Sequence, residues 1–409
     1  MGSASALSFS RGTTVLVTGG EHFGGLAAIR GLVLAGHDTW ATVTRNHSYA
    51  AWSRLPAGTI RVPDPVVDPE PFAEAVVAAA DRLGARVVLP GTDLALTSLA
   101  RRLDSFRSGI AVGVCSPDLV ERATSKTALA ELAEAAGLDV PPTHVLTRAN
   151  VEAAQIAFPA VVKPPRSDVE GADGSLVHTG ARRVEDARAL QDAIAQLGGN
   201  EWLAQPYVSG ELVAVAGVAW EGTVVAEIHQ LSRRIWPPDC GGSSYAATIE
   251  PDAERGRKVR RLVANLGWSG IFQVQLLRRG TEEFLIDFNP RFYGTLALAI
   301  AAGINLPAVW VDLIRRVEIA PPPTYRVGVR FRAQGKDLRA LATSARAGAW
   351  GKATAGLVPR ANTCHPVFTW DDPLPAIAGP IRIARTIGAS MRAALEHAPR
   401  GLDKPPGTS

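Results

Sequence analysis

Residues 270–294 read GIFQVQLLRRGTEEFLIDFNPRFYG. Gly270 to Leu277 and Glu283 to Phe288 form two paired strands joined near Gly280, and Asn289-Pro290-Arg291 ends the second. Side chains two apart on a strand share a face. Asp287 and Asn289 therefore look the same way, and Gln275 can oppose them from the neighbouring strand. Arg291 continues that face with a guanidinium suited to phosphate or a developing acyl phosphate. The plainer alternative is a solvent-exposed hairpin edge whose polar residues are structural.

Working outward, Asp252 to Leu266 reads as a helix with Val259, Leu262, Val263 and Leu266 on its apolar face, stopped by Gly267. Glu211 to Trp220 and Thr223 to His229 look like a hairpin around Glu221-Gly222. Glu201 to Val208 is extended, and Pro159 to Lys163 is a strand. Between them, Arg166 to Gly180 is a glycine-containing mobile loop. Lys126 to Ala136 is a helix ended by Gly137.

At the amino end, Thr14 to Thr18 is a short buried strand followed by Gly19-Gly20, Gly24-Gly25 and an apolar helix from Leu26 to Ala35. This opens an α/β unit of nucleotide-fold type. The glycine spacing does not follow GxGxxG, which argues for a tight strand–helix turn over dinucleotide binding. Arg86 to Pro90 is a further strand, and Gly91-Thr92-Asp93 lies just beyond it, at the sheet edge where ligands commonly bind. Asp93 either touches substrate or caps the next helix.

Composition narrows the class. With 409 residues, 46% of them hydrophobic, the chain can build two or three cores. A net charge of +4 from 43 basic and 39 acidic residues is mild, and no dense basic block with interleaved aromatics points to nucleic acid. Cys115, Cys240 and Cys364 have no CxxC spacing, so neither a disulfide scaffold nor a zinc knuckle is indicated. The first dozen residues read as a loose tail rather than a secretory signal. The apolar stretch Leu296 to Ile314 is broken by Gly303, Asn305, Pro307 and Asp312, so a surface or core helix pair is expected there and not a membrane span.

The 270–294 hairpin, taken with the upstream lysines and the extended hinge, resembles the metal-binding core of the ATP-grasp superfamily, in particular the carboxylate–amine ligase branch similar to the ATP-binding domains of carbamoyl-phosphate synthase. The resemblance spans roughly residues 12–320. It implies an α/β fold of mixed α+β lobes: an ATP-grasp fold with an amino-terminal Rossmann-like preATP-grasp domain. Gln275, Asp287 and Asn289 would supply hard oxygen ligands to magnesium, with manganese as a substitute. Lys126 and Lys163 match the two family lysines that contact the phosphates of ATP, although a helix-start lysine such as Lys126 can also simply face solvent. Ser167 and Gly174 fall in the loop that matches the flap closing over those phosphates. Gln205-Pro206-Tyr207-Val208 resembles the linker whose backbone reads adenine, and Glu211 the carboxylate that bonds ribose hydroxyls. Asp287 departs from the more usual glutamate, and Gln275 stands where many relatives carry an acid.

The acceptor side is carried by HQLSRRIWPPDCGGSSY, residues 229–245. His229, Arg233, Arg234, Gly241 and Gly242 join Asp93 and Arg291 as candidates to touch substrate, with a surface basic patch as the alternative. Catalytic roles are expected of Arg291, Lys163 and Arg233. The expected division is a flexible tail over 1–12, a preATP-grasp domain over 13–115, ATP-grasp lobes over 116–320, a substrate-side α/β region over 321–400 and a flexible tail over 401–409. The implied reaction is ATP-dependent formation of an amide or peptide bond through an acyl phosphate. Its substrates would be a small carboxylate and an amine, amino acids or peptides among them, and the enzyme a cytoplasmic one, a homodimer like many similar enzymes. A small-molecule kinase, a carboxylase and a noncatalytic nucleotide sensor are the alternatives.

Overall fold

The computed structural model describes residues 12–151, 155–166, 168–170, 176–178, 180–197, 199–318 and 324–378. The tails expected at either end lie outside the described residues, Gly12 excepted. The chain begins with a wholly parallel sheet. Its strands β1 (Thr14–Val17), β2 (Asp38–Val43), β3 (Gly58–Arg61), β4 (Val87–Leu89) and β5 (Ala111–Val112) lie in the order β3-β2-β1-β4-β5. Val15 and Val17 pack beneath the helix Phe23–Leu34, whereas Leu16 and Val88 face the helices Pro69–Leu83 and Asp93–Ala100. Burial on both faces is why these strands are continuous apolar runs.

The strand order reverses between β1 and β4, so the turns after them meet at one edge. A Cβ on Gly91 would stand 2.0 Å from the Thr18 carbonyl oxygen, and only glycine lets the turns close. One on Gly24 would stand 2.6 Å from the Phe292 carbonyl oxygen. The amino-terminal glycines thus seat the first helix on the turn that follows the 270–289 hairpin. Thr92, not Asp93, caps the next helix, its Oγ1 accepting the Ala95 N–H at 3.1 Å.

A smaller antiparallel sheet follows. Here β6 (His144–Thr147), β7 (Ala160–Lys163), β10 (Arg182–Val184) and β11 (Glu201–Pro206) lie in the order β10-β7-β11-β6, covered by the helix Ala187–Leu197. Two short strands, β8 (Asp168–Glu170) and β9 (Leu176–His178), pair with each other as a separate two-stranded sheet.

The largest sheet has seven strands: β12 (Glu211–Trp220), β13 (Thr223–Trp236), β14 (Gly242–Thr248), β15 (Gly270–Arg279), β16 (Glu282–Asn289), β17 (Arg330–Arg332) and β18 (Thr363–Cys364), in the order β16-β15-β12-β13-β14-β17-β18. Strand β13 runs well past His229, so Arg233 and Arg234 belong to a strand rather than to a connection. The helices Pro117–Thr124, Lys126–Ala136 and Ala253–Leu266 share one core with this sheet. The helices Leu296–Ala302 and Leu306–Ile314 share another. That last pair is bent by 93° and mostly buried, which makes it the core helix pair. Among the described residues no single helix is long and apolar enough to cross a membrane.

Downstream of residue 324 the chain adds β17 and β18 to the same large sheet and supplies the helices Gln334–Arg346 and Trp350–Leu357. It then returns to the amino-terminal unit. Asp372 is fully buried, accepting from Arg30 Nε at 3.1 Å and Nη2 at 2.9 Å, from Ser53 Oγ at 2.7 Å and from the Arg54 N–H at 3.1 Å. Removing one member of a buried pair leaves its partner uncompensated. Asp372→Ala should cost about 3 kcal/mol and free the 365–378 segment. The check is the unfolding midpoint together with limited proteolysis; no change in either would contradict this account.

Candidate active site

A cleft of about 1000 Å³ separates the four-stranded from the seven-stranded sheet. Val161, Lys163 and Gln205 line it from the small sheet; Leu212, Gln275, Leu277, Asp287 and Asn289 line it from the large one. In the β15–β16 ladder Gln275 lies opposite Asp287, and Gln273 opposite Asn289. Gln273, only 3% exposed, organises this wall. Its Oε1 accepts from Gln275 Nε2 at 3.4 Å and Asn289 Nδ2 at 3.5 Å, while its Nε2 donates to Thr295 Oγ1 at 3.2 Å. Asn289 Nδ2 also lies 3.4 Å from Asp287 Oδ2. The amide N–H groups are thus turned inward onto Gln273 and Asp287. The amide oxygens of Gln275 and Asn289 are left, with the Asp287 carboxylate, to accept from the cleft side. Three hard oxygen donors of this kind fit magnesium, the triphosphate supplying further oxygens. No group of three or more His, Cys, Asp or Glu side chains arranged for a metal stands among the described residues.

The ladder slips after Gln275, because Leu276 pairs with Leu285 and Ile286 is left over as a bulge. A bulged residue loses its place in the ladder. The Ile286 carbonyl instead accepts from Lys163 Nζ at 3.1 Å. Lys163 is 7% exposed. Burial, and then repulsion from Lys126, lowers its pKa to about 8, against the pull of Asp287. Lys126 begins its helix half-buried on the same cleft, so it does not simply face solvent. Ser167 and Gly174 lie outside the described residues.

The expected hinge residues Gln205, Pro206, Tyr207 and Val208 line the cleft where β11 passes to β12. Gln205 turns its amide onto Thr143 Oγ1 at 2.8 Å, and the Tyr207 N–H is taken by the Pro159 carbonyl at 2.8 Å. Tyr207 Oη donates to Asp239 at 3.1 Å, and Arg183 stacks 4.3 Å above its ring. Asp239 in turn lies 3.3 Å from Arg183, so the β13–β14 turn is tied to the small sheet. Burial, followed by Asp239, raises the Tyr207 pKa. Glu211 lines the cleft but is paired with Arg278, Nη2 to Oε2 at 2.6 Å.

Toward the other end, Arg233, Arg234, Gly241, Gly242 and Arg291 all line the cleft. Arg234 is engaged by Asp337 at 2.7 and 3.0 Å and lies over Tyr245 at 4.4 Å. Arg291 Nε donates to Asp93 Oδ2 at 3.0 Å. Asp93 thus contacts Arg291 and is not itself a wall of the cleft. His229 is a correction. It is fully enclosed and outside the cleft, its Nδ1 accepting the Asp252 N–H at 3.3 Å and its Nε2 standing 3.4 Å from Glu227. The parity of β13 turns it toward the helix Ala253–Leu266 rather than toward the cleft. Cys240 lines the cleft, but burial and Asp239 push its thiol up to about 11, which keeps it protonated. Gln273, Thr295, Asp239 and Lys336 escaped the sequence reading, because nothing in their local spacing marks them.

Residues 199–336 match the family described as ATP-grasp in the biosynthetic pathway with Ter operon. The carbamoyl phosphate synthase large chain of Pseudomonas syringae pv. tomato is 25% identical over 222 residues, 52% of this chain and 20% of that one. The chain spans about a fifth of the length of the curated relatives it matches. The L-amino acid ligase of Bacillus licheniformis is similar with a TM-score of 0.57 at 15% identity, over 75% of each chain. N5-carboxyaminoimidazole synthetase from Staphylococcus aureus, complexed with ADP, gives 0.58 at 13% identity, over 76% of this chain and 80% of that one. The biotin carboxylase domain dimer of Hydrogenobacter thermophilus 2-oxoglutarate carboxylase, with MgADP, ADP and bicarbonate, gives 0.60 at 14% identity, over 78% and 74%. At these identities the structural likeness shows the fold. The chain carries an ATP-grasp domain. It follows a parallel five-stranded α/β unit whose strand order fits the Rossmann-like expectation.

Because Lys163 has a lowered pKa, its positive charge is present below about pH 8 and lost above it. The affinity for a nonhydrolysable ATP analogue should be flat below that point. Above it, affinity should weaken by up to about tenfold per pH unit. Titration calorimetry across the range checks this, and Lys163→Arg should abolish the slope. An unchanged slope in that variant would remove Lys163 as its source.

Proposed function

We propose that this protein is an ATP- and magnesium-dependent carboxylate–amine ligase, which forms an amide or peptide bond through an acyl phosphate. The observation that carries the reading is the confrontation of Lys126 and Lys163 with Gln275, Asp287 and Asn289 across one cleft. The purine would lie beside the 205–208 connection, between Val161 of the small sheet and Leu212 and Leu277 of the large one. Lys163 and Lys126 then hold phosphate oxygens. Gln275, Asp287 and Asn289 would hold magnesium, which would offset the charge that develops during phosphoryl transfer. Arg291, braced by Asp93, orients the attacking carboxylate and stabilises charge on the transferring group. Arg233 helps hold the acid. The amine then attacks the acyl carbon, and phosphate leaves. The ADP, MgADP and ligase descriptions of the similar structures support this chemistry. The dimer among them supports a homodimer. The need for ATP supports a cytoplasmic setting.

Hydroxylamine is a general amine trap for acyl phosphates. With Mg-ATP and a panel of small acids, including amino acids, it should give ADP, phosphate and a hydroxamate. Asp287→Ala should slow ADP formation by roughly a hundredfold or more, and Asp287→Glu should recover part of it. ADP with a stable phosphorylated product would select a kinase, and bicarbonate-dependent turnover a carboxylase. Absence of both turnover and ATP binding would overturn the assignment.

A further inference from the structure

Where β13 and β14 border the cleft, a single face of the helix Gln334–Arg346 lines it. Lys336, Ala340, Thr343, Ser344 and, just beyond the helix, Ala347 line it at spacings of three and four or one, as one stripe of a helix does. Small side chains leave space there. Lys336 stands at the start of the stripe, its Nζ 5.7 Å from the centroid of the Phe23 ring. No carboxylate pairs with it among the described residues; the adjacent Asp337 is fully buried and already taken by Arg234 and Arg332.

Arg233 arrives by a different route. The β13–β14 register slips between Ser232 and Arg234, which leaves Arg233 as a bulge with no residue opposite it. A flat strand would send alternate side chains to opposite faces, and a bulge re-aims one of them. Here Ser232, Arg233 and Arg234 all line the cleft. Arg234 is neutralised by Asp337, whereas Arg233 is exposed and has no acidic partner among the described residues. Strand β13 lies two strands from β15, roughly 10 Å across the sheet. Along β13, Arg233 stands three residues past Gln230, which is level with Gln275 through Ala214, so it lies roughly a further 10 Å along the strand. Arg233 and Lys336 are thus two uncompensated cations on the lining of the same cleft.

We propose that Arg233 and Lys336 form a second anion subsite, which selects acids bearing a further negative group, carboxylate or phosphoryl, at the end away from the reacting carboxylate. This rests on the ligase reading above and names its substrate class. The far group would accept a forked hydrogen bond from Arg233 and a point charge from Lys336.

Titration calorimetry with the protein saturated in magnesium and a nonhydrolysable ATP analogue tests it, using glutarate, phosphonobutyrate and valerate as probes. At least one dianion should bind about tenfold or more tightly than valerate. Whichever dianion binds more tightly identifies the second group. Lys336→Met and Arg233→Met should each erase most of that margin and Lys336→Arg should restore it, with unfolding midpoints confirming that the variants fold. Arg346→Gln, at the far end of the same helix and outside the cleft, should leave the margin intact. Equal binding of all three probes, or a margin that survives in the double Met variant, overturns the subsite. Failure of the analogue itself to bind would instead bring down the ligase reading. Analogue binding and hydroxamate formation without a dianion preference would bring down the subsite alone.

Discussion

The register of two antiparallel strands carries the site. With Gln275 opposite Asp287 and Gln273 opposite Asn289, one wall of the cleft receives three oxygen donors and the amide that arranges them. The same ladder has its irregularity at Ile286, and the carbonyl freed there is the one that takes the Lys163 ammonium. A buried lysine is costly unless something compensates it. Here the compensation is one carbonyl and a nearby carboxylate, enough to lodge the lysine but not to keep its ordinary basicity. A bound phosphate would supply the counter-charge that these two groups do not.

Around that wall the other units are fastened by a few specific contacts. Asp93 reaches from the edge of the parallel sheet to Arg291, and Gly24 lets the first helix rest on the backbone at Phe292. The β13–β14 turn is tied to the small sheet through Asp239, Arg183 and Tyr207. These contacts explain why an arginine that reads as a phosphate ligand has a carboxylate beside it. Asp93 sets its direction, and Arg291 lines the cleft from that position.

Much of the architecture was legible because it follows short periods. Asp287 and Asn289 are two apart, apolar residues recur along the helices at three and four, and Gly267 and Gly137 stop helices where expected. Strand parity also placed Gln275 across from Asp287. Less visible were features that depend on distant pairing. Nothing local announces that β13 continues to Trp236, that it slips at Arg233, or that His229 turns away from the cleft to meet Asp252. Lys336 and Gln273 acquire meaning only from the wall they join. The Glu211–Arg278 pair likewise requires knowing that β12 and β15 are neighbours.

The Arg30–Asp372 contact joins residues separated by 342 positions. During synthesis the amino-terminal unit must therefore wait for this clasp. At ordinary elongation rates that wait is roughly 15–70 s. Throughout it, Arg30, Ser53 and the Arg54 amide lack the carboxylate that later joins them. The parallel sheet can form early, since its five strands lie within residues 14–112, but this part of its surface stays open until Asp372 arrives. A truncation between residues 364 and 372 would spare every strand among the described residues and still leave the first unit without this carboxylate.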